Sequence, residues 1–174
     1  MTTSIRDLVP DDLGWLLALN NAAVPHVNQL DRPALADLLA ITGYARAVLD
    51  KGEPQGALLA FWPGADYASA HYRWFEQRFR HFLYVDRVMI ASTARGSGLG
   101  RILYDDLEQF ARAEGSPRIA LEVNRQPPNP GSLAFHERLG FKPVGELAHD
   151  REPGGGDPKR VVLMVKPLEN APAA

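Results

Sequence analysis

Residues Arg95-Gly96-Ser97-Gly98-Leu99-Gly100 stand between an apolar run ending at Ala91 and a stretch in which apolar side chains return every three or four positions. A glycine-rich turn between a strand and a helix points successive backbone N–H groups at one place, at the positive end of the helix dipole, and makes an anion site. A phosphate-bearing ligand is its natural occupant. The spacing sets two users of such turns aside. A Walker loop needs Lys-Ser or Lys-Thr after its last glycine, and Arg101-Ile102 follows here. The dinucleotide fingerprint needs GxGxxG, whereas Gly96, Gly98 and Gly100 give GxGxG, far from the chain start and with no acidic residue at a suitable later strand end. The chain has no cysteine, which excludes disulfides, thiolate metal sites and any chemistry whose nucleophile or acyl carrier is a cysteine.

The periodicity around the turn predicts what holds it. Phe82 to Ala91 reads as a strand. Leu99, Leu103, Leu107, Phe110 and Ala111 recur at helical spacing until Gly115, and Arg118 to Asn124 alternates apolar and polar residues as a strand does. Strand, turn, helix and strand make a βαβ unit with parallel pairing. Before it come a short strand at Ile5 to Val9, a helix started by Pro10-Asp11-Asp12, and a second helix from Asp31-Arg32-Pro33 to Gly43. Strands Tyr44 to Leu49 and Gln55 to Trp62 follow as a hairpin over Asp50-Lys51-Gly52-Glu53. Residues 63 to 81 show no clean periodicity and read as a long loop with one helical turn. After the unit come a helix from Asn129-Pro130 to Leu139-Gly140 and strands Phe141 to Ala148 and Arg160 to Lys166, joined by the glycine-rich segment Pro153 to Pro158. Interleaved strands and helices indicate an α/β or α+β domain with a mixed sheet.

At 174 residues the chain suits one domain, taken as 1–168 with a frayed tail over 169–174. A formal charge of −2 lacks the basic footprint of a nucleic-acid binder. No apolar leader opens the sequence, and the longest apolar run, Ala57 to Trp62, is too short to span a bilayer. The expectation is a cytoplasmic protein with neither nucleic acid nor membrane as a partner.

Arg-x-x-Gly-x-Gly after a strand resembles the GNAT superfamily of N-acetyltransferases. The likeness is carried by Tyr84-Val85-Asp86-Arg87-Val88-Met89-Ile90, by Arg95 to Arg101, and by Phe135-His136-Glu137-Arg138-Leu139-Gly140-Phe141, and element order extends it over nearly the whole chain. The resemblance implies a mixed, mostly antiparallel twisted sheet of about seven strands with a central parallel pair, flanked by about four helices. It implies acetyl-CoA as co-substrate and no metal. The backbone N–H groups of Gly96, Ser97, Gly98, Leu99, Gly100 and Arg101 would hold the pyrophosphate, with the Arg95 side chain positional. The main chain of Val88, Met89 and Ile90 would pair with the pantetheine arm, and an N–H near Met89 would serve the oxyanion. Asn129 aligns with an asparagine that contacts that arm, and is equally an N-cap; Ser132 and Phe135 join the cofactor set.

Transfer of acetyl to an amine needs an unprotonated nitrogen, an oxyanion donor and a departing thiolate. With no cysteine, direct attack in a ternary complex is the expected route. Glu122, on the strand face opposite Ile119, Leu121 and Val123, aligns with a position some family members use as a base; Asp86 is the second candidate. Each has a structural alternative as an ion-paired carboxylate. Where the family often places a tyrosine near the leaving thiolate, this chain has His136. A histidine can donate a proton, yet a thiol is a tolerable leaving group unaided, so His136 stands between acid and cofactor contact. That histidine also resembles the branch containing phosphinothricin and methionine sulfoximine acetyltransferases, which act on small amino-acid-like amines. The acceptor pocket would draw on Asn20, Asn21, His26, Trp62, Tyr67, Tyr72 and Trp74, or these aromatics belong to the core. Arg73, Arg78, Arg80 and Arg87 could bind a carboxylate, or form a solvated face. Family members are often dimers. A non-catalytic acyl-CoA-binding module and a transferase of another acyl group are the rival readings.

Overall fold

The computed structural model describes residues 2–149 and 158–169. The glycine-rich connection over 153–157 and the tail over 170–174 lie outside the described residues. The order is β1 (Thr3–Asp7), α1 (Leu13–Ala22), α2 (Arg32–Ala40), β2 (Tyr44–Asp50), β3 (Glu53–Phe61), α3 (Ala70–Glu76), β4 (Leu83–Ile90), α4 (Leu99–Ala113), β5 (Arg118–Gln126), α5 (Pro130–Arg138), β6 (Lys142–His149) and β7 (Lys159–Pro167), with short 3-10 turns before α1 and before the glycine turn. Among the described residues the strands form one seven-stranded sheet ordered β1-β2-β3-β4-β5-β7-β6. Only β4 and β5 run parallel, as the βαβ pattern requires; the other neighbours are antiparallel. No helix of the described residues is long and apolar enough to cross a membrane.

Both faces of the sheet are covered. Strand alternation sends Leu83, Val85, Ile119, Leu121 and Val123 to one face, where they meet Leu99, Leu103, Tyr104, Leu107 and Ala111 of α4. The other face carries Leu59, Phe61, Tyr84 and Ala120 against Leu38 of α2 and Tyr72 and Phe75 of α3, with Leu16 of α1 and Leu35 of α2 closing over Ala57 and Met89. The β2–β3 hairpin turns at Lys51 and Gly52, both at positive φ (52° and 86°), as a tight two-residue hairpin demands.

One expectation fails. The 63–81 stretch holds a seven-residue helix, α3, rather than a loop with a single turn; among the described residues five α-helices flank the sheet, in line with the expected about four. The Ser69 side chain accepts from the Tyr72 N–H and starts it. Tyr72 and Phe75 lie three apart on its buried side, with Phe79 packed just beyond. Three basic residues among the aromatics mask that stripe in the sequence.

Candidate active site

β4 and β5 are paired only at Leu83–Ile119 and Tyr84–Ala120; beyond these two pairs the strands part. The cause lies in β4. Its pairing with β3 passes from Arg87 opposite Leu59 to Val85 opposite Ala60, leaving Asp86 as an extra residue. Such a bulge bends and twists its strand, and here it carries β4 away from β5. The gap opens a cleft of about 800 Å³, lined along one wall by Val85 to Ile90 and along the other by Leu121 to Asn124.

The glycine turn closes one end of this cleft. Gly96 and Gly98 have φ of 78° and 84°, with open space where a β-carbon would stand, so backbone conformation and not crowding requires glycine. Gly98 is the N-cap of α4 and no side chain caps that helix, which leaves its first-turn N–H groups for a ligand. Gly100 answers to packing: a β-carbon there would stand 3.1 Å from Cζ of Phe135. Among the residues expected at the cofactor, Val88, Met89, Ile90, Arg95, Gly96, Gly98, Leu99, Gly100, Arg101, Asn129, Ser132 and Phe135 line the cleft. Ser97 is absent from the lining; its hydroxyl donates to the Ala94 carbonyl and fastens the turn. Asn129 caps α5, its side chain accepting from the Ser132 N–H, while also facing the cleft.

Glu122 stands on the β5 wall at the opposite face of the sheet from α4. The Tyr84 hydroxyl donates to Oε2 at 2.6 Å and His71 Nδ1 lies 3.1 Å from Oε1. Burial pushes the Tyr84 phenol well above its ordinary value, with the negative charge of Glu122 adding to it, so it stays a donor. The sequence singles out neither Tyr84 nor His71 as a partner of Glu122; His71 lies in the stretch without clean periodicity.

Asp86 sits in the same cleft in a different state. Its Oδ2 accepts from Arg87 Nε at 2.6 Å and its Oδ1 from the Tyr67 hydroxyl at 2.5 Å. Burial raises the Asp86 carboxyl while Arg87 and Tyr67 pull it back. The rest of the Arg87 guanidinium is taken by Asn20 at 2.7 Å and Asn28 at 3.0 Å. Arg87 therefore locks α1 and the segment after it to β4. Asn21 adds to the lock by exchanging two hydrogen bonds with the Leu30 backbone. This brings His26 to the cleft wall. The remaining acceptor-pocket candidates are placed elsewhere: Tyr72 is fully buried and donates to the Trp62 carbonyl, and Trp62 and Trp74 pack against the two cores. Arg78 lies over the Trp74 ring at 3.7 Å, and Arg73 and Arg80 are exposed.

His136 is 3% exposed. Its Nδ1 lies 2.7 Å from the Ser132 carbonyl, which can only accept, so Nδ1 carries the proton and Nε2 accepts from the Tyr104 hydroxyl at 2.7 Å. Burial pushes the imidazole down to about 4, against the pull of the Ser132 carbonyl. It is a neutral ring with both nitrogens engaged.

Residues 25–141 match the Acetyltransferase (GNAT) family. The L-methionine sulfoximine/L-methionine sulfone acetyltransferase of Pseudomonas aeruginosa is 30% identical over 156 residues, which span 84% of each chain. N-alpha-acetyltransferase 80 of Mus musculus is 41% identical over 71 residues, 39% of this chain and 21% of that one. In three dimensions the chain superposes on yncA from Salmonella typhimurium, solved with its cofactor acetyl-CoA, at a TM-score of 0.71 with 19% identity, covering 100% of this chain and 98% of that one. The chain belongs to the GNAT family and is an N-acetyltransferase.

Proposed function

We propose that the protein moves an acetyl group from acetyl-CoA to the primary amine of a small, amino-acid-like molecule by direct attack in a ternary complex. The observation that carries this reading is the parting of β4 from β5. It joins an anion-binding glycine turn on one side of the sheet to the Glu122 carboxylate on the other, within a single cleft. The N–H groups at the start of α4 suit the pyrophosphate. The free edge of β4 at Val88, Met89 and Ile90 suits an extended pantetheine arm, and a backbone N–H near Met89 suits the thioester oxygen.

Glu122 is the base in this reading. Each of its oxygens faces one donor, so the carboxylate is held in orientation and keeps lone pairs toward the cleft. It takes the proton that the attacking nitrogen loses. Asp86, closed on Arg87 and Tyr67, holds the bulge and the segment beyond α1. His136 donates its one proton from Nδ1 to the Ser132 carbonyl, and the thiol leaves as thiolate, acceptable for a group of pKa about 8.5. The small-molecule acceptor rests on the likeness to the Pseudomonas L-methionine sulfoximine/L-methionine sulfone acetyltransferase.

Free thiol release from acetyl-CoA over a panel of primary amines, beginning with L-methionine sulfoximine and L-methionine sulfone, tests the reading. Acceptor-dependent release with an N-acetylated product is expected. Tight binding of acetyl-CoA without such release would favour a non-catalytic binder, and failure to bind acetyl-CoA would remove the cofactor assignment.

A further inference from the structure

His71 is 9% exposed and its imidazole joins three elements. From α3 its Nδ1 faces Glu122 on β5 at 3.1 Å, and its Nε2 meets Nε2 of His149, on β6, at 2.8 Å. We propose that His71, held by His149, is a positioning residue that orients the Glu122 carboxylate and sets the protonation state in which it can act as base. The proposal rests on Glu122 being that base.

A carboxylate can only accept, so His71 directs an N–H from Nδ1 to Glu122. In neutral His71, Nε2 is then an acceptor and the proton in the His71–His149 contact belongs to His149. When His71 is the protonated partner, that proton is its own. Two ring nitrogens at this distance hold one proton between them, so the two imidazoles share it. With the pair neutral, Glu122 is an oriented anion whose charge is offset only by hydrogen bonds. With the pair protonated, Glu122 faces an imidazolium and becomes a weaker base.

Glu122 also receives the Tyr84 hydroxyl, and its charge helps raise the Asp86 carboxyl. Tyr67 and Tyr104 each feel Glu122 in turn. Arg87 is closed on Asp86, and Lys159 of β7 stands opposite His149 in register. None of these can substitute for the N–H that reaches Oε1.

Nitrogen-15 NMR of the imidazoles across pH tests the coupling in the free protein. Expected in the wild type are two linked titration steps for His71 and His149, collapsing to one in His149→Ala, and a lower His71 midpoint in Glu122→Gln. Independent single steps indifferent to either change would overturn the proposal. Kinetics with the amine of highest turnover supply the second arm. His71→Asn retains an amide N–H near the Nδ1 position and should keep kcat within about threefold. Its acid limb should move to lower pH, because histidine ordinarily titrates above a carboxylate. His71→Leu should lose about ten- to a hundredfold in kcat, the effect of losing a hydrogen bond to a charged group, with acetyl-CoA affinity unchanged as evidence of folding. Equal kcat and equal pH profiles for Asn and Leu would sink the role of His71 alone, provided Glu122→Gln is inactive. An active Glu122→Gln would sink the underlying base assignment instead.

Discussion

His136 offers a stability test that separates a buried neutral imidazole from a catalytic acid. Its folded-state value is about 4, against an ordinary histidine near 6.5 in the unfolded chain. The unfolded state therefore binds more protons across that window, and stability falls as the medium is acidified. The sign follows from the depressed folded value: full stability is present above about pH 6.5 and is lost as pH drops toward 4. The gap corresponds to about 3 kcal/mol in full, of which roughly 2 kcal/mol is already lost at pH 5. His136→Gln removes the titrating group. The variant starts lower at neutral pH, because the Tyr104 hydroxyl is left with an imperfect partner in a buried site. Urea unfolding of both proteins from pH 8 to pH 5 is the assay. The wild type should lose about 2 kcal/mol more than the variant over that range. Parallel curves would show that His136 is solvated or charged in the folded protein, and would reopen its role as an acid.

Gly98→Ala puts a side chain at φ 84°, costing about 1 kcal/mol in a left-handed position and tilting the first N–H groups of α4; calorimetry should find acetyl-CoA binding roughly tenfold weaker, and unchanged affinity would contradict the anion-site assignment. Asp12 accepts from Arg6 at 2.7 Å, from the Val9 N–H at 2.8 Å and from Trp15 Nε1 at 2.7 Å, with its carboxyl held well below the usual range chiefly by the Arg6 hydrogen bonds. Asp12→Asn should therefore lose about 2 kcal/mol at neutral pH, a deficit that shrinks as pH falls below about 4, where the carboxylate of the unfolded wild-type chain takes up its proton while the folded one stays ionised; urea unfolding at several pH values checks both.

Much of the fold was legible because its signals are local. Alternation along 118–124, the helical stripe from Leu99 to Ala111 and the positive-φ hairpin at Lys51-Gly52 each depend on a few neighbouring residues, and the structure returns them within a residue or two. The glycine turn was legible for the same reason: positive φ at Gly96 and Gly98 needs no distant partner. The surroundings of Glu122 were not. Glu122 could be placed on a strand face, but its partners come from α3, β4 and β6, separated from it by 51 residues at His71 and 38 at Tyr84. The Asp86 bulge is equally silent in the sequence, since a bulge is defined by the register of two strands. Missing α3 hid His71, and the signal that could have found it was Ser69 as an N-cap ahead of Tyr72 and Phe75. His136 was recognised as the departure from a tyrosine, but only the Ser132 carbonyl and Tyr104 hydroxyl settle its tautomer.

The most direct measurement on the central claim compares Glu122→Gln with the wild type, taking kcat with the best amine acceptor and the dissociation constant of acetyl-CoA on the same preparations. Removing a general base lowers kcat by about 10²- to 10⁴-fold, and the proposal puts the cofactor on the glycine turn and the β4 edge, so acetyl-CoA affinity should stay as it was. A variant that binds acetyl-CoA normally and turns over at the wild-type rate would show that the cleft between β4 and β5 works without Glu122.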